Sequence, residues 1–127
     1  AASPAVVDAC RLVRLPYHLS AQTQVLALVA LTHQDELLSR VRQLAQECRS
    51  FQDWLRDNGY EVVPSEANFV LFGRFTDRHA VWQDLLNRGV LIRETGPQGF
   101  LRASAGKPEE MAALKEALAK INPEGRH

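Results

Sequence analysis

Two arginines in one short stretch are the residues of this chain best suited to chemistry. Val90 to Gly106 (VLIRETGPQGFLRASAG) carries Arg93 at the end of one apolar run and Arg102 within a second, with Gly96, Pro97 and Gly99 between them. Turn residues between two β-prone runs predict a hairpin, because glycine supplies positive φ and proline holds its own. Side chains alternate along a strand, so Arg102 shares a face with Phe100 and Ser104, opposite Leu101 and Ala103. One face can pack while the other presents a guanidinium, a planar fork of donors that matches a carboxylate or a phosphate. On spacing alone, a solvated strand-edge arginine is the simpler account.

Other catalytic patterns are missing from the sequence. There is no phosphate-cradling glycine loop, no nucleophile elbow and no histidine pair at ligand spacing. His18, His33, His79 and His127 are scattered and read as surface or core imidazoles, and no metal site is expected. Glu109 and Glu110 are adjacent, so on a helix they point differently and read as a solvated first turn. Trp54 and Trp82 read as packing residues. Cys10 and Cys48 lack the close pairing of a zinc site; the expectation is buried reduced thiols and a cytoplasmic protein.

The elements that must position the arginines follow from local signals. Ser3 and Pro4 start a short helix to about Leu12, and Pro16 ends any helix within Arg11 to Leu19 while pushing Leu15 toward an extended conformation. Ser20 caps a second helix whose Val25, Leu26, Leu28, Val29 and Leu31 lie on more than one face, a pattern that expects burial on several sides. The longest helix runs from Thr32 to Asn58 before Gly59, with a single apolar stripe of Leu37, Val41, Leu44, Cys48, Phe51 and Leu55. Strands are expected at Glu61 to Pro64 and Ala67 to Gly73, the second central and covered. Thr76 or Asp77 opens a helix to Arg88, with Val81, Trp82, Leu85 and Leu86 inward and Gly89 at its end. The hairpin comes next, and Pro108 starts a last helix with Met111, Leu114, Leu118 and Ile121 on one face. Asn122 to His127 reads as a frayed tail.

The resulting class is α+β: a small, mostly antiparallel sheet with helices packed on one face, preceded by connecting helices. A chain of 127 residues, 46% apolar and 24% charged, has room for one core. Zero formal net charge gives no support to a nucleic-acid surface or an acidic-lipid patch, and no apolar run reaches membrane-spanning length. The first residue is not Met, which raises the expectation that the chain is part of a longer polypeptide.

Four blocks carry a resemblance: Val13 to Ala21 (VRLPYHLSA), Pro64 to Phe72 (PSEANFVLF), Gly89 to Arg93 (GVLIR) and Phe100 to Gly106 (FLRASAG), with Glu109 and Glu110 after them. In this order and spacing they resemble the C-terminal part of the histidinol-phosphate aminotransferases, pyridoxal-phosphate enzymes of the aspartate aminotransferase fold, with actinobacterial members nearest. Leu15 to Ser20 (LPYHLS) favours that branch over the aromatic-amino-acid aminotransferases. Lys107, Pro108 and Met111 depart from the family pattern around the last helix.

The resemblance implies a division of labour. Residues 1–31 would be connecting helices that pack on an absent large domain, and 32–127 the C-terminal small domain. The large domain would bind pyridoxal phosphate, supplying the Schiff-base lysine and the groups around it. No catalytic and no cofactor-binding residue is then expected in this chain, whose lysines are only Lys107, Lys115 and Lys120, so in isolation it is expected to be inactive. Arg102 would hold the anionic end of the substrate, with Arg93 assisting: the phosphate of histidinol phosphate in one half-reaction, and a carboxylate of glutamate or 2-oxoglutarate in the other. The whole enzyme would be a cytoplasmic homodimer of histidine biosynthesis. The alternative is a non-catalytic α+β module that binds a small anion or a protein partner.

Overall fold

The structure, a computed structural model of the chain, describes residues 2–15 and 19–121. The described residues form eight elements: α1 (Pro4–Val13), α2 (Ala21–Thr32), α3 (Gln34–Asp57), β1 (Glu61–Val63), β2 (Phe69–Gly73), α4 (Arg78–Asn87), β3 (Leu101–Ser104) and α5 (Pro108–Ala119). Contacts divide the chain into two compact units, one up to Leu38 and one from Ser39 onward.

In the first unit, α1 follows Ser3 and Pro4 as expected and ends at Arg14, whose backbone is extended. The expected break at Pro16 lies outside the described residues, as does the expected tail. The Ser20 side chain caps α2 by accepting the Thr23 N–H at 3.1 Å. The expected burial of α2 on several sides is not found, since neither α1 nor α2 contains a buried residue. Cys10 shares that exposure, which corrects its reading as a buried thiol.

The second unit holds the core. Its sheet is antiparallel in the order β1-β2-β3, so β2 is central as its composition suggests. Register pairs Val62 with Phe72 and Leu71 with Arg102. Val70, Phe72, Leu101 and Ala103 occupy one face and are buried with Phe51 and Leu55 of α3, Leu85 of α4, and Leu114 and Leu118 of α5. All three helices therefore contribute to a single cluster on one face of the sheet, the arrangement that alternation along the strands requires.

Helix ends and turns set the strands in place. Gly59, at φ 81, lets Tyr60 N–H reach Leu55 C=O and its own N–H reach Arg56 C=O, which closes α3 and starts β1. Gln52, buried on α3, donates to Ser65 C=O at 3.0 Å and accepts from Ser65 N–H at 3.2 Å. Ser65 Oγ also donates to Phe69 C=O at 2.7 Å and accepts the Ala67 N–H at 3.1 Å. These bonds hold residues 65–68 in a turn, so β2 begins at Phe69 instead of Ala67.

The expected hairpin is reduced to one bridge. Residues 90–92 form no strand, and only Arg93 pairs with β3, opposite Arg102. Before that bridge the segment is held by α4 instead. Val90 N–H closes that helix on Leu85 C=O at 2.9 Å, and Ile92 C=O accepts the Trp82 indole N–H at 2.9 Å. Leu86, expected inward, is exposed, while Trp82 is only partly buried.

Candidate functional site

β3 positions Arg102 from the middle of the sheet outward. Leu101 and Ala103 are buried on the core side, while Arg102 is half-buried and Ser104 exposed on the other side. Phe100, grouped with them by alternation, precedes the strand and is itself buried. Phe69 of β2, a diagonal neighbour of Arg102, lies beneath its guanidinium, with Cζ 5.0 Å from the ring centroid. This cation–π contact orients the guanidinium plane without occupying its N–H groups.

Arg93 stands directly opposite. The two residues exchange both backbone bonds, Arg93 N–H to Arg102 C=O at 3.0 Å and Arg102 N–H to Arg93 C=O at 2.9 Å. Residues paired this way direct their side chains to the same face. Two like charges opposite one another are unfavourable on a sheet. Among the described residues no side-chain hydrogen bond or ion pair relieves either guanidinium, and the buried Arg102 Nε has no acceptor. An unmet donor on a cation costs more than a neutral one. An anion bridging the two would remove both penalties.

Both arginines line a pocket of about 530 Å³ beside the free edge of β3, together with Val90, Ser104, Glu110 and Leu114. Glu110 is turned toward its own helix end, accepting the Lys107 N–H at 2.8 Å. None of the three lysines lines this pocket. Lys120 is paired with Glu116 at 2.6 Å, and this pairing lowers the Glu116 pKa through the hydrogen bond first and the charge second. Among the described residues no cluster of three or more histidine, cysteine or acidic side chains could hold a metal ion, and no helix is long and apolar enough to cross a membrane.

Sequence reasoning missed a group on α4. Arg78 donates to Gly96 C=O and Pro97 C=O at 3.3 and 3.0 Å, and its Nε lies 3.4 Å from Glu94. His79 Nδ1 is 2.9 Å from the other Glu94 oxygen, and its ring stacks on Trp82 with centroids 5.7 Å apart. The Glu94 hydrogen bond, and then the Glu94 charge, raise the His79 pKa. His79 is a surface imidazole, as expected, but one with a fixed partner. No local signal in the sequence links residues 78–82 with 92–97. Cys48 is buried as expected; its thiol donates to Ala67 C=O at 3.3 Å, and burial, the largest cause, raises its pKa.

A small antiparallel sheet backed by helices on one face, with Arg93 bridged to Arg102 at its edge, defines an α+β domain. The chain belongs to the class I and II aminotransferase family, matching it over residues 1–118. It is 63% identical over 118 residues to the histidinol-phosphate aminotransferase of Thermobifida fusca (strain YX), covering 93% of this chain and 32% of that one. The chain therefore spans about a third of the length of this curated relative. Among solved structures, it is similar to histidinol-phosphate aminotransferase from Sinorhizobium meliloti in complex with pyridoxal-5'-phosphate (TM-score 0.69, 24% identity, 93% of this chain and 34% of that one). It is also similar to L-threonine-O-3-phosphate decarboxylase from Porphyromonas gingivalis (TM-score 0.74, 19% identity, 94% and 39%). The likeness expected from the four sequence blocks is found, and the α+β fold is that of the corresponding part of aminotransferase structures.

Proposed function

We propose that these residues are the C-terminal part of a histidinol-phosphate aminotransferase, and that Arg102, assisted by Arg93, holds the anionic end of its substrates. The observation that carries this reading is the bridged arginine pair, in which the Arg102 Nε–H has no acceptor. A phosphate or carboxylate oxygen is the acceptor such a fork accommodates. The substrates in this reading are histidinol phosphate in one half-reaction and glutamate or 2-oxoglutarate in the other, in a cytoplasmic homodimer. Identity of 63% to a curated histidinol-phosphate aminotransferase supports the substrate choice. The fold alone does not, since a decarboxylase shares it.

Pyridoxal phosphate does not fit the residues present here. The lysines lie in α5 or at its ends and none of them lines the arginine pocket, so none is placed to bind the cofactor beside the substrate anion. In this reading the cofactor belongs to a large domain, where it supplies the electron sink for amino transfer. Residues 1–31 connect to that domain and 32–127 form the small one. The exposed apolar residues of α1 and α2 support this assignment. The contribution of this chain is to bind and orient the substrate. By itself it should form no stoichiometric lysine adduct with pyridoxal phosphate after borohydride reduction; one labelled lysine per chain would contradict that.

The whole enzyme provides the test of the site. Arg102→Ala should raise the KM for both anionic substrates about ten- to a hundredfold, the effect of losing a charge-assisted bond worth about 1.5–3 kcal/mol. Arg102→Lys should not restore it, because an ammonium lacks the planar fork. Unchanged KM values in both variants would refute the assignment.

A further inference from the structure

The arginine pair depends on a segment that the sheet holds by one bridge only, so something else must fix Arg93. Three consecutive residues are anchored, by two different elements. Ile92 C=O accepts from Trp82, Arg93 exchanges two backbone bonds with Arg102, and the Glu94 carboxylate is held by Arg78 and His79. Trp82, Arg78 and His79 are all on α4, at positions i+4, i and i+1, and so share one side of the helix. Arg78 also bonds the carbonyls of Gly96 and Pro97, farther along the same segment.

Glu94 makes this arrangement consequential. A carboxylate adjacent in sequence to Arg93 could swing over and neutralise the arginine that is meant to hold a ligand. Alternation turns it to the other side, where Arg78 and His79 engage both of its oxygens. We propose that Arg78, His79 and Trp82 of α4 are positioning residues that hold Arg93 beside Arg102 and keep Glu94 away from the anion site, without touching the ligand themselves. This inference rests on the anion-site reading above. It goes beyond that reading by placing part of the site's affinity on a helix that does not line the arginine pocket.

Linkage makes the relation reciprocal: a clamp that favours anion binding is itself favoured by the anion. Inorganic phosphate, titrated into the full 127-residue chain at constant pH and ionic strength, serves as the probe. In the wild-type chain it should shift the Arg102 Nε–H resonance and slow amide exchange at Arg93 and Arg102. The β1–β2 amides should be unaffected. Trp82→Phe combined with His79→Gln removes the indole donor and one of the two groups that hold the Glu94 carboxylate. This double variant should bind phosphate about three- to tenfold more weakly, as expected when a competent state held by one neutral and one exposed charged contact is partly depopulated. Unchanged β1–β2 exchange in the variant would show that the sheet is intact, so the loss is one of positioning. Wild-type affinity in the double variant, with binding abolished by Arg102→Ala, would overturn the positioning role and leave the anion site standing. No phosphate effect on Arg102 in the wild-type chain would overturn the anion site and the clamp together. Slower exchange of the Trp82 indole N–H on phosphate binding reads the α4 contact directly and needs no variant, so unchanged indole exchange beside a shifted Arg102 would overturn the positioning role even if the double variant fails to fold.

Discussion

α3 passes from one unit into the other, and its two ends differ in what surrounds the same apolar stripe. Val41 is 58% exposed, and Leu37 and Leu44 are exposed with it, whereas one to three turns further on Cys48, Phe51 and Leu55 are buried, Leu55 completely. The stripe is continuous in sequence, so helix periodicity cannot account for the change. What differs is the partner. From Cys48 onward the helix lies in the cluster with Val70, Phe72, Leu85 and Leu118. Among the described residues before it, α1 and α2 bury nothing, and Leu26 of α2 is 68% exposed. An amphipathic pattern specifies a face to be covered, not the element that covers it.

The largest expected effect separates the two regions by stability. Phe51 packs edge-on against Phe72 at 6.0 Å and stacks on Trp54 at 6.3 Å. Phe51→Ala should therefore cost about 3–5 kcal/mol, while Leu26→Ala should fall within about 0.5 kcal/mol, both read from urea unfolding at a dilution where the chain is monomeric. Comparable costs for the two would show that α2 is packed in solution. A smaller effect is expected at Gln52, whose amide satisfies both backbone groups of Ser65. Gln52→Ala should cost about 1–3 kcal/mol by leaving them unmet. Loss of amide protection at Ser65 and Ala67, with α5 protection retained, would locate the damage in the β1–β2 turn.

The apolar surface of the first unit should also act between molecules. At roughly 25 cal/mol per Å², covering even a few hundred Å² favours association by several kcal/mol, and lost freedom takes back much of this gain. The chain alone is expected to self-associate through residues 21–31 or to refold that segment. A strict monomer in sedimentation across a wide concentration range, with α2 amides protected from exchange, would contradict this expectation.

The smallest effect concerns His79, for which only a direction is expected. Its pKa is raised above the ordinary value near 6.5, by the Glu94 hydrogen bond first and the Glu94 charge second, against an opposing effect of desolvation and with a lesser contribution from the Asp77 charge. A raised pKa means that the protonated form is favoured in the folded chain. The stabilisation is fully present below about pH 6.5 and is lost as pH rises through the raised value. NMR titration of the His79 ring should place its midpoint above the ordinary imidazole value near 6.5, and Glu94→Gln should bring it down. An unmoved midpoint in the variant would remove Glu94 as the cause.

Much of the second unit could be read in the sequence because its signals are local. Gly59 closes α3 by adopting a backbone conformation that other residues resist, Asp77 caps α4 by accepting the Ala80 N–H at 2.9 Å, and alternation in Leu101 to Ser104 placed Arg102 on the open face. The four blocks that carry the family likeness are local in the same sense. What tertiary structure alone decided is where those signals met. Trp82 and Arg78 hold residues 92–97 across ten or more positions of chain, beside a hairpin reduced to the Arg93–Arg102 bridge. Cys10 and Cys48 both sit in helices, yet one is exposed and the other buried. Helix caps, turns and alternation depend on backbone geometry within a few residues, so sequence determines them directly. Burial, and the choice of partner for a guanidinium or an indole N–H, depend on which surfaces come together, and that depends on the whole chain.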